Sequence, residues 1–314
     1  MERKKNKKKE ILLEVGTNEL EIMEFIIDGR SFGINVAKVL EIMKYEEVTP
    51  VPHSNKYVEG IFKPRNQIIS VLDLAAYLKL NSKENPERDI LIITNFNNNH
   101  TAFHVHSVET IHRISWSEME KPDETIHGSM DGITTGIARI GDKLITILDF
   151  EKIMSELNPS QALDANRVNH LEDRPRNQVP ILLAEDSPFL KKVILNALNK
   201  AGYMNVLCVG TGKEAWSALD NMRQVELDNL DEHVRLIITD IEMPEMDGHT
   251  LCKLIKGDRR FKHLPVIVFS SLINDEMKKK GKTVGADAQI SKPEIQSLVT
   301  YIDAFIFGDD STIN

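Results

Sequence analysis

Hydrophobic and polar positions change rhythm once along this chain, near residue 180. Before that point apolar residues fall in short stretches that roughly alternate with polar ones, as in strands with one buried face. Glu19–Ile27 is one such stretch; Asp28-Gly29 follows, then Phe32 and Ile34, which predicts a hairpin with a tight turn. Asp89–Thr94 and Thr101–Val105 predict a second hairpin around an Asn-rich loop at 95–99. Gly136–Ile140 and Leu144–Leu148 predict a third around Gly141-Asp142. Many short strands and few long helices predict barrels or a sandwich over residues 18–157. The run Ile68-Ile69-Ser70-Val71-Leu72-Asp73-Leu74 also echoes Leu144-Ile145-Thr146-Ile147-Leu148-Asp149-Phe150. In both, Asp73 and Asp149 stand where an N-cap would accept backbone N–H bonds before a short helical pattern. The repeat predicts two small barrels side by side.

Residues 158–178 lose the pattern; they are polar, carry two prolines and mixed charge, and read as a linker. From Pro180 the apolar runs become short and continuous: Ile181–Ala184, Leu236–Thr239 and Val266–Phe269. Such runs suit strands buried on both faces of a parallel sheet. Amphipathic stretches lie between and after them, at Pro188–Ala201, Gly212–Met222, Gly248–Lys256 and Glu294–Phe307. The alternation predicts a doubly wound, flavodoxin-like α/β domain over 179–308, with a short tail at 309–314. The whole is a multidomain chain, all-β first and α/β second.

In an open parallel sheet, ligands bind beyond the carboxyl ends of the strands. The first run ends in Glu185-Asp186, the second in Asp240, the third in Ser270-Ser271, and a fourth strand at Ala288–Ser291 in Lys292-Pro293. Each has a plain structural explanation: Ser187-Pro188 starts a helix well, Glu185 suits a surface, Ser270 can end a strand, and Lys292 can be a solvated lysine before a turn. Their convergence on one sheet edge favours chemistry instead. Three carboxylates in one cleft repel each other and resist burial. A hard divalent cation with oxygen ligands relieves that, and Mg2+ fits. Asp240 can then act as a carboxylate nucleophile toward a phosphoryl group. Lys292 would pair with the phosphoryl oxygens, and Ser270 would donate its hydroxyl to one of them.

Composition adds limits. Hydrophobic residues at 41% and charged residues at 28% are an ordinary globular balance. The net charge of -9 argues against general nucleic-acid binding. A basic cluster (Arg3, Lys4, Lys5, Lys7, Lys8, Lys9) opens the chain, and residues 1–17 read as a solvated, disordered tail. No apolar run reaches a membrane span and no secretory signal is evident. With only Cys208 and Cys252, no disulfide framework is expected. The expected location is cytoplasmic, with no membrane insertion.

The second half resembles the receiver domain of two-component response regulators. The resemblance rests on Leu183-Ala184-Glu185-Asp186, Ile238-Thr239-Asp240-Ile241-Glu242-Met243-Pro244, Asp247-Gly248, Pro265-Val266-Ile267-Val268-Phe269-Ser270 and Lys292-Pro293. It implies phosphorylation of Asp240 by a histidine kinase. It also implies Mg2+ held by Glu185, Asp186, Asp240 and the Glu242 carbonyl, and a switch built on Ser270 and Lys292. Gln289 stands where receivers usually carry an aromatic, and the charged segment 223–233 is longer than usual.

Nothing in residues 18–157 looks catalytic. His104 and His106 lie two apart and could share a strand face, but an exposed strand face explains them better than a metal site. The region resembles the CheW coupling proteins through Phe32-Gly33-Ile34-Asn35-Val36-Ala37-Lys38-Val39-Leu40-Glu41-Ile42, Val58-Glu59-Gly60-Ile61, Arg65 and Val71-Leu72-Asp73-Leu74. Pro64, Asn66 and Ser70 depart from that pattern. The resemblance implies two five-stranded barrels that bridge methyl-accepting chemoreceptors and the histidine kinase CheA. Val36, Val39, Glu41 and Arg65 fall at its partner-contact positions, with burial in the barrel core the alternative for the valines.

A CheW-like module ahead of a receiver is the architecture of CheV-type chemotaxis proteins. That resemblance implies an adaptor at receptor arrays on the inner face of the cell membrane, tuned by phosphorylation for adaptation. A phosphate sink that drains CheA, and an aspartate-nucleophile phosphatase using Glu242 as second acid, are the alternatives. A transcriptional regulator is disfavoured, because only a few polar residues follow Phe307.

Overall fold

The period-2 stretches of the first half form strands in a computed structural model of the chain. It describes residues 19–65, 67–81, 86–96, 99–120, 133–157, 165–171, 174–222, 227–273, 275–292 and 294–308. The tails expected at 1–17 and 309–314 lie outside these residues, as do parts of 158–178 and 223–233. The chain divides into two compact units, one mainly Leu20–Ile114 with Glu118–Ser160, the other mainly Gln161–Asn314. Among the described residues, no helix is long and apolar enough to cross a membrane.

The N-terminal unit opens with β1 (Glu19–Ile27) and β2 (Arg30–Asn35), paired antiparallel with Ile27 opposite Arg30. Asp28 and Gly29 both take positive φ, 50° and 73°, as a two-residue hairpin turn of this twist requires. Then come β3 (Val39–Lys44), β4 (Val58–Phe62), β5 (Ile69–Asp73), helix α1 (Leu74–Tyr77), β6 (Ile90–Phe96), β7 (Asn99–Val105) and β8 (Ser107–Ser115). The unit closes with β9 (Met119–Glu120), β10 (Thr134–Ile140), β11 (Lys143–Leu148) and helix α2 (Phe150–Leu157). Two sheets result, in orders β8-β1-β2-β11-β10-β9 and β3-β6-β7-β5-β4. The first has six strands rather than the five expected, because the two-residue β9 pairs with β10. The β6–β7 ladder also runs further than expected: Asn95 pairs with His100 and Phe96 with Asn99. Backbone pairing continued through asparagines that composition alone assigns to a loop.

The internal echo is real in three dimensions. β5 leads to α1 through Asp73, whose Oδ1 accepts the Ala76 N–H at 2.9 Å. β11 leads to α2 through Asp149, whose Oδ1 accepts the Lys152 N–H at 2.9 Å. Each of these strands makes a parallel pairing in its own sheet, β5 with β7 and β11 with β2. Neighbouring residues of the second sheet go to different cores, as alternation demands. Leu72 and Ile92 join Phe25, Phe32, Phe103 and Phe150, while Val71 and Leu91 join Phe62 and Ile69.

His104 and His106 do not form the exposed strand face expected. His106 is buried, and its Nδ1 accepts the Asp28 N–H at 3.0 Å. His104 lies between two carboxylates: Glu59 Oε1 at 2.6 Å from Nδ1 and Asp89 Oδ2 at 3.1 Å from Nε2. Tyr45 packs 4.4 Å from the imidazole, centroid to centroid, and donates its hydroxyl to Glu59. Burial disfavours the imidazolium, but the Glu59 bond and charge, with Asp89, outweigh it and raise the His104 pKa. A raised folded pKa contributes stability below about pH 6.5, the unfolded value, and loses it as pH rises through the folded one. His104→Gln is therefore expected to cost about 1 kcal/mol near pH 6. The deficit should shrink in urea titrations at progressively higher pH; an unchanged deficit would contradict the brace.

The C-terminal unit alternates strand and helix. Its elements are β12 (Ile181–Ala184), α3 (Pro188–Lys200), β13 (Val206–Val209), α4 (Gly212–Asn221), β14 (Leu236–Thr239), α5 (Gly248–Gly257), β15 (Val266–Ser270), α6 (Asp275–Val284), β16 (Ala288–Ser291) and α7 (Ile295–Phe307). The sheet runs β13-β12-β14-β15-β16, every neighbouring pair parallel. β12 and β14 are buried throughout, as continuous apolar runs predict. Two elements lacked such a signal. β13 is an edge strand with an exposed Leu207, and α6 buries only Met277, Gly281 and Val284 beneath a lysine-rich face. In the long segment before β14, Leu230 is fully buried and joins the core under α4 and α5.

The stretch read as a linker is partly folded. Residues Ala165–Leu171 form a 3-10 helix whose Val168 is fully buried in the core shared by α3 and α7. Further on, Asn177 bridges to Tyr203 beside the entry to β13. One valine among polar residues is too sparse a pattern to read as an amphipathic element.

Candidate functional site

The parallel register sets the site. Ala184 at the end of β12 pairs with Thr239 at the end of β14, so Glu185-Asp186 and Asp240 leave the sheet side by side. Ser270 pairs with Ser291, so Ser270 and Lys292 leave it on the other side of β14. One ligand oxygen from each of Glu185, Asp186 and Asp240 lies within 4.8 Å of the others. Glu185 and Asp240 are buried and Asp186 is half-buried.

Lys292 compensates for this charge. Its Nζ lies 2.7 Å from Asp240 Oδ2 and 3.1 Å from Glu185 Oε2, with all three side chains almost wholly buried. The second oxygens are held by backbone: Ile241 N–H donates to Asp240 Oδ1 at 2.6 Å, and Ser187 N–H to Glu185 Oε1 at 3.2 Å. Ser187 also caps α3, accepting the Leu190 N–H, and Pro188 occupies the first turn. The helix-start explanation of Ser187-Pro188 thus holds alongside the acidic site rather than against it. Ser270 is fully buried, and its Oγ accepts the Leu272 N–H at 3.2 Å. Glu242 follows in the loop, half-buried, and its side chain is not part of the three-carboxylate group.

The Asp247-Gly248 pair has a structural role that spacing alone does not reveal. Asp247 caps α5 through the Thr250 N–H and hydroxyl, at 2.9 and 2.7 Å. A Cβ on Gly248 would lie 1.8 Å from the Asp240 carbonyl oxygen. Glycine is what lets α5 start against the backbone of Asp240.

The residues expected to touch partners lie in the N-terminal unit. Val36, in a 3-10 turn capped by Asn35, and Val39, at the start of β3, are half-buried and pack against the phenylalanine core. Core packing, the alternative for these valines, therefore accounts for part of their surface. Arg65 donates to Glu41 Oε1 at 2.9 Å, with both side chains open to solvent. Such an exposed pair contributes little stability.

The donor set at the sheet edge is all oxygen and suits a hard divalent cation. The acidic cluster is typical of the Mg2+ site of a receiver. Residues 181–303 match the response regulator receiver domain family, and residues 21–158 match the CheW-like domain family. A two-module signalling protein is thereby defined. The chain is 34% identical over 302 residues to chemotaxis protein CheV3 of Helicobacter pylori, covering 92% of this chain and 95% of that one. It is 29% identical to CheV2 of the same organism (88% and 92% covered) and 26% identical to CheV1 (92% and 94%). The chain belongs to the CheV family of chemotaxis proteins.

The buried lysine gives a direct test. Lys292→Ala leaves the Glu185 and Asp240 carboxylates buried without their cation, and should destabilise the C-terminal unit by about 3 kcal/mol in metal-free buffer. Chemical denaturation followed by circular dichroism measures this; a loss within about 0.5 kcal/mol would mean the pair is not what balances the site.

Proposed function

We propose that this chain is a chemotaxis adaptor that couples methyl-accepting chemoreceptors to the histidine kinase CheA. Its coupling is tuned for adaptation by phosphorylation at Asp240. The observation that carries the reading is the buried lysine bonded to two carboxylates at the carboxyl edge of the parallel sheet. Asp240 is the nucleophile: one carboxylate oxygen bonds to phosphorus as the donor's P–N bond breaks, and the departing imidazole takes a proton. Lys292 shifts its hydrogen bonds to the phosphoryl oxygens. Ser270 already accepts a backbone N–H, which leaves its own proton to donate to the phosphoryl group. Glu185, Asp186, Asp240 and the Glu242 carbonyl would hold Mg2+. When bound, that ion supplies the charge that lets a dianionic phosphoryl group approach carboxylates.

In the coupling half, Val36 and Val39 offer the exposed remainder of their apolar surface to a partner. Arg65 and Glu41 offer a planar donor and an acceptor, already pre-oriented by each other. The CheW-like match supports association with receptors and CheA.

Reconstituting receptor, CheA and this protein tests the whole reading. Asp240→Asn is expected to lose acyl-phosphate formation and the phosphorylation-dependent change in attractant control. Identical control by wild type and variant would sink the tuned-adaptor reading. For the ion, millimolar Mg2+ at about 100 times its Kd should stabilise the wild-type C-terminal unit by about 2.7 kcal/mol. Asp186→Ala should lose most of that gain in thermal melts, and an equal gain in both proteins would remove Asp186 from the site.

A further inference from the structure

The groove between α3 and α7 is filled by the chain that precedes the sheet. Val168 is fully buried there, and Leu171 packs against the same core. Lys200 at the end of α3 donates to the side chains of Asn166 and Asn169. Gln296, in the first turn of α7, donates to the Arg167 carbonyl at 2.7 Å. Two turns on, Asp303 accepts from Arg174 at 2.9 Å and from the buried Tyr203 hydroxyl. Beside that anchor, a Cβ on Gly202 would lie 2.7 Å from the Pro175 carbonyl oxygen, so the backbones touch. Residues 165–171 and 174–178 are therefore tied to α7 in its first turn and again two turns further on.

α7 also begins three residues after Lys292, whose ammonium is held by Asp240 and Glu185. The opposite flank of β16 is pinned. Gln289 donates to the Lys278 carbonyl on α6 at 2.9 Å, and a Cβ on Gly281 would lie 2.2 Å from its Oε1. The amide fills its niche and has no ring to swing.

We infer that the docked 3-10 helix 165–171, with the anchor at 174–178, acts as a strap that carries the state of Asp240 to the chain before it. A phosphoryl group on Asp240 draws Lys292 and the first turn of α7 toward itself, breaks the Gln296–Arg167 bond and loosens the strap. The inference rests on the phosphoacceptor reading, and it makes α7 rather than α6 the exit for the signal. Physically, the two-state element is the docked or undocked 3-10 helix, biased from one end by Lys292.

Hydrogen exchange on the full-length protein, with Mg2+ and beryllofluoride as the phosphoryl mimic, tests it. Fluorine NMR reports whether the mimic occupies the site. The expected result is bound beryllofluoride and about tenfold faster exchange in the amides of 166–171, with neither seen in Asp240→Asn. Gln296→Ala, on an exposed turn, should exchange faster before the mimic is added and respond less to it. Bound mimic with unchanged strap exchange overturns the strap and leaves the phosphoacceptor reading standing. No bound mimic in the wild type overturns both. A full-sized response in Gln296→Ala overturns the route through α7.

Discussion

Burying carboxylates at one end of a parallel sheet demands a cation nearby, and Lys292 meets that demand with a 2.7 Å contact to Asp240. Much of the surrounding architecture follows from the pair. β16 must end beside β15 to deliver the lysine, and β14 must end beside β12 to deliver the acids. α5 can begin against Asp240 only because residue 248 has no side chain. The ammonium is thus a structural counterion in the resting protein and stands at the place where a phosphoryl group would need it.

The C-terminal unit was legible because its strands are buried on both faces, which writes continuous apolar runs into the chain. The same runs point at the residues that follow them, and Glu185, Asp186, Asp240 and Lys292 do converge. β13 and α6 were not legible for the complementary reason: an edge strand and a solvated helix bury too little to leave a pattern. Val168 leaves no such signature, because one buried side chain in a polar stretch carries no period. In the N-terminal unit, turn chemistry at Asp28-Gly29 and the twin aspartate caps were readable locally. The Glu59–His104–Asp89 bridge was not, since Glu59 lies in β4, His104 in β7 and Asp89 just before β6, and they meet only through the sheet order.

The two halves handle buried charge differently. In the C-terminal unit two acids share one lysine, an arrangement a phosphoryl group can compete for. In the N-terminal unit one histidine is shared by two acids and shielded by Tyr45, which suits a fixed brace. Charge open to exchange sits at the carboxyl edge of the parallel sheet, while the closed version ties separate parts of the β unit together.

The docked 3-10 helix also bears on how such a chain can be recombined. A receiver joined at residue 180 that brings no groove for Val168 and no acid where Asp303 meets Arg174 would not accept this segment. The native strap would then have nowhere to dock, and Val168 and Leu171 would lose the core that hides them. The exchangeable module is accordingly larger than the sheet suggests: it starts at or before Ala165, and chimeras made there keep the strap with the helices it was built for.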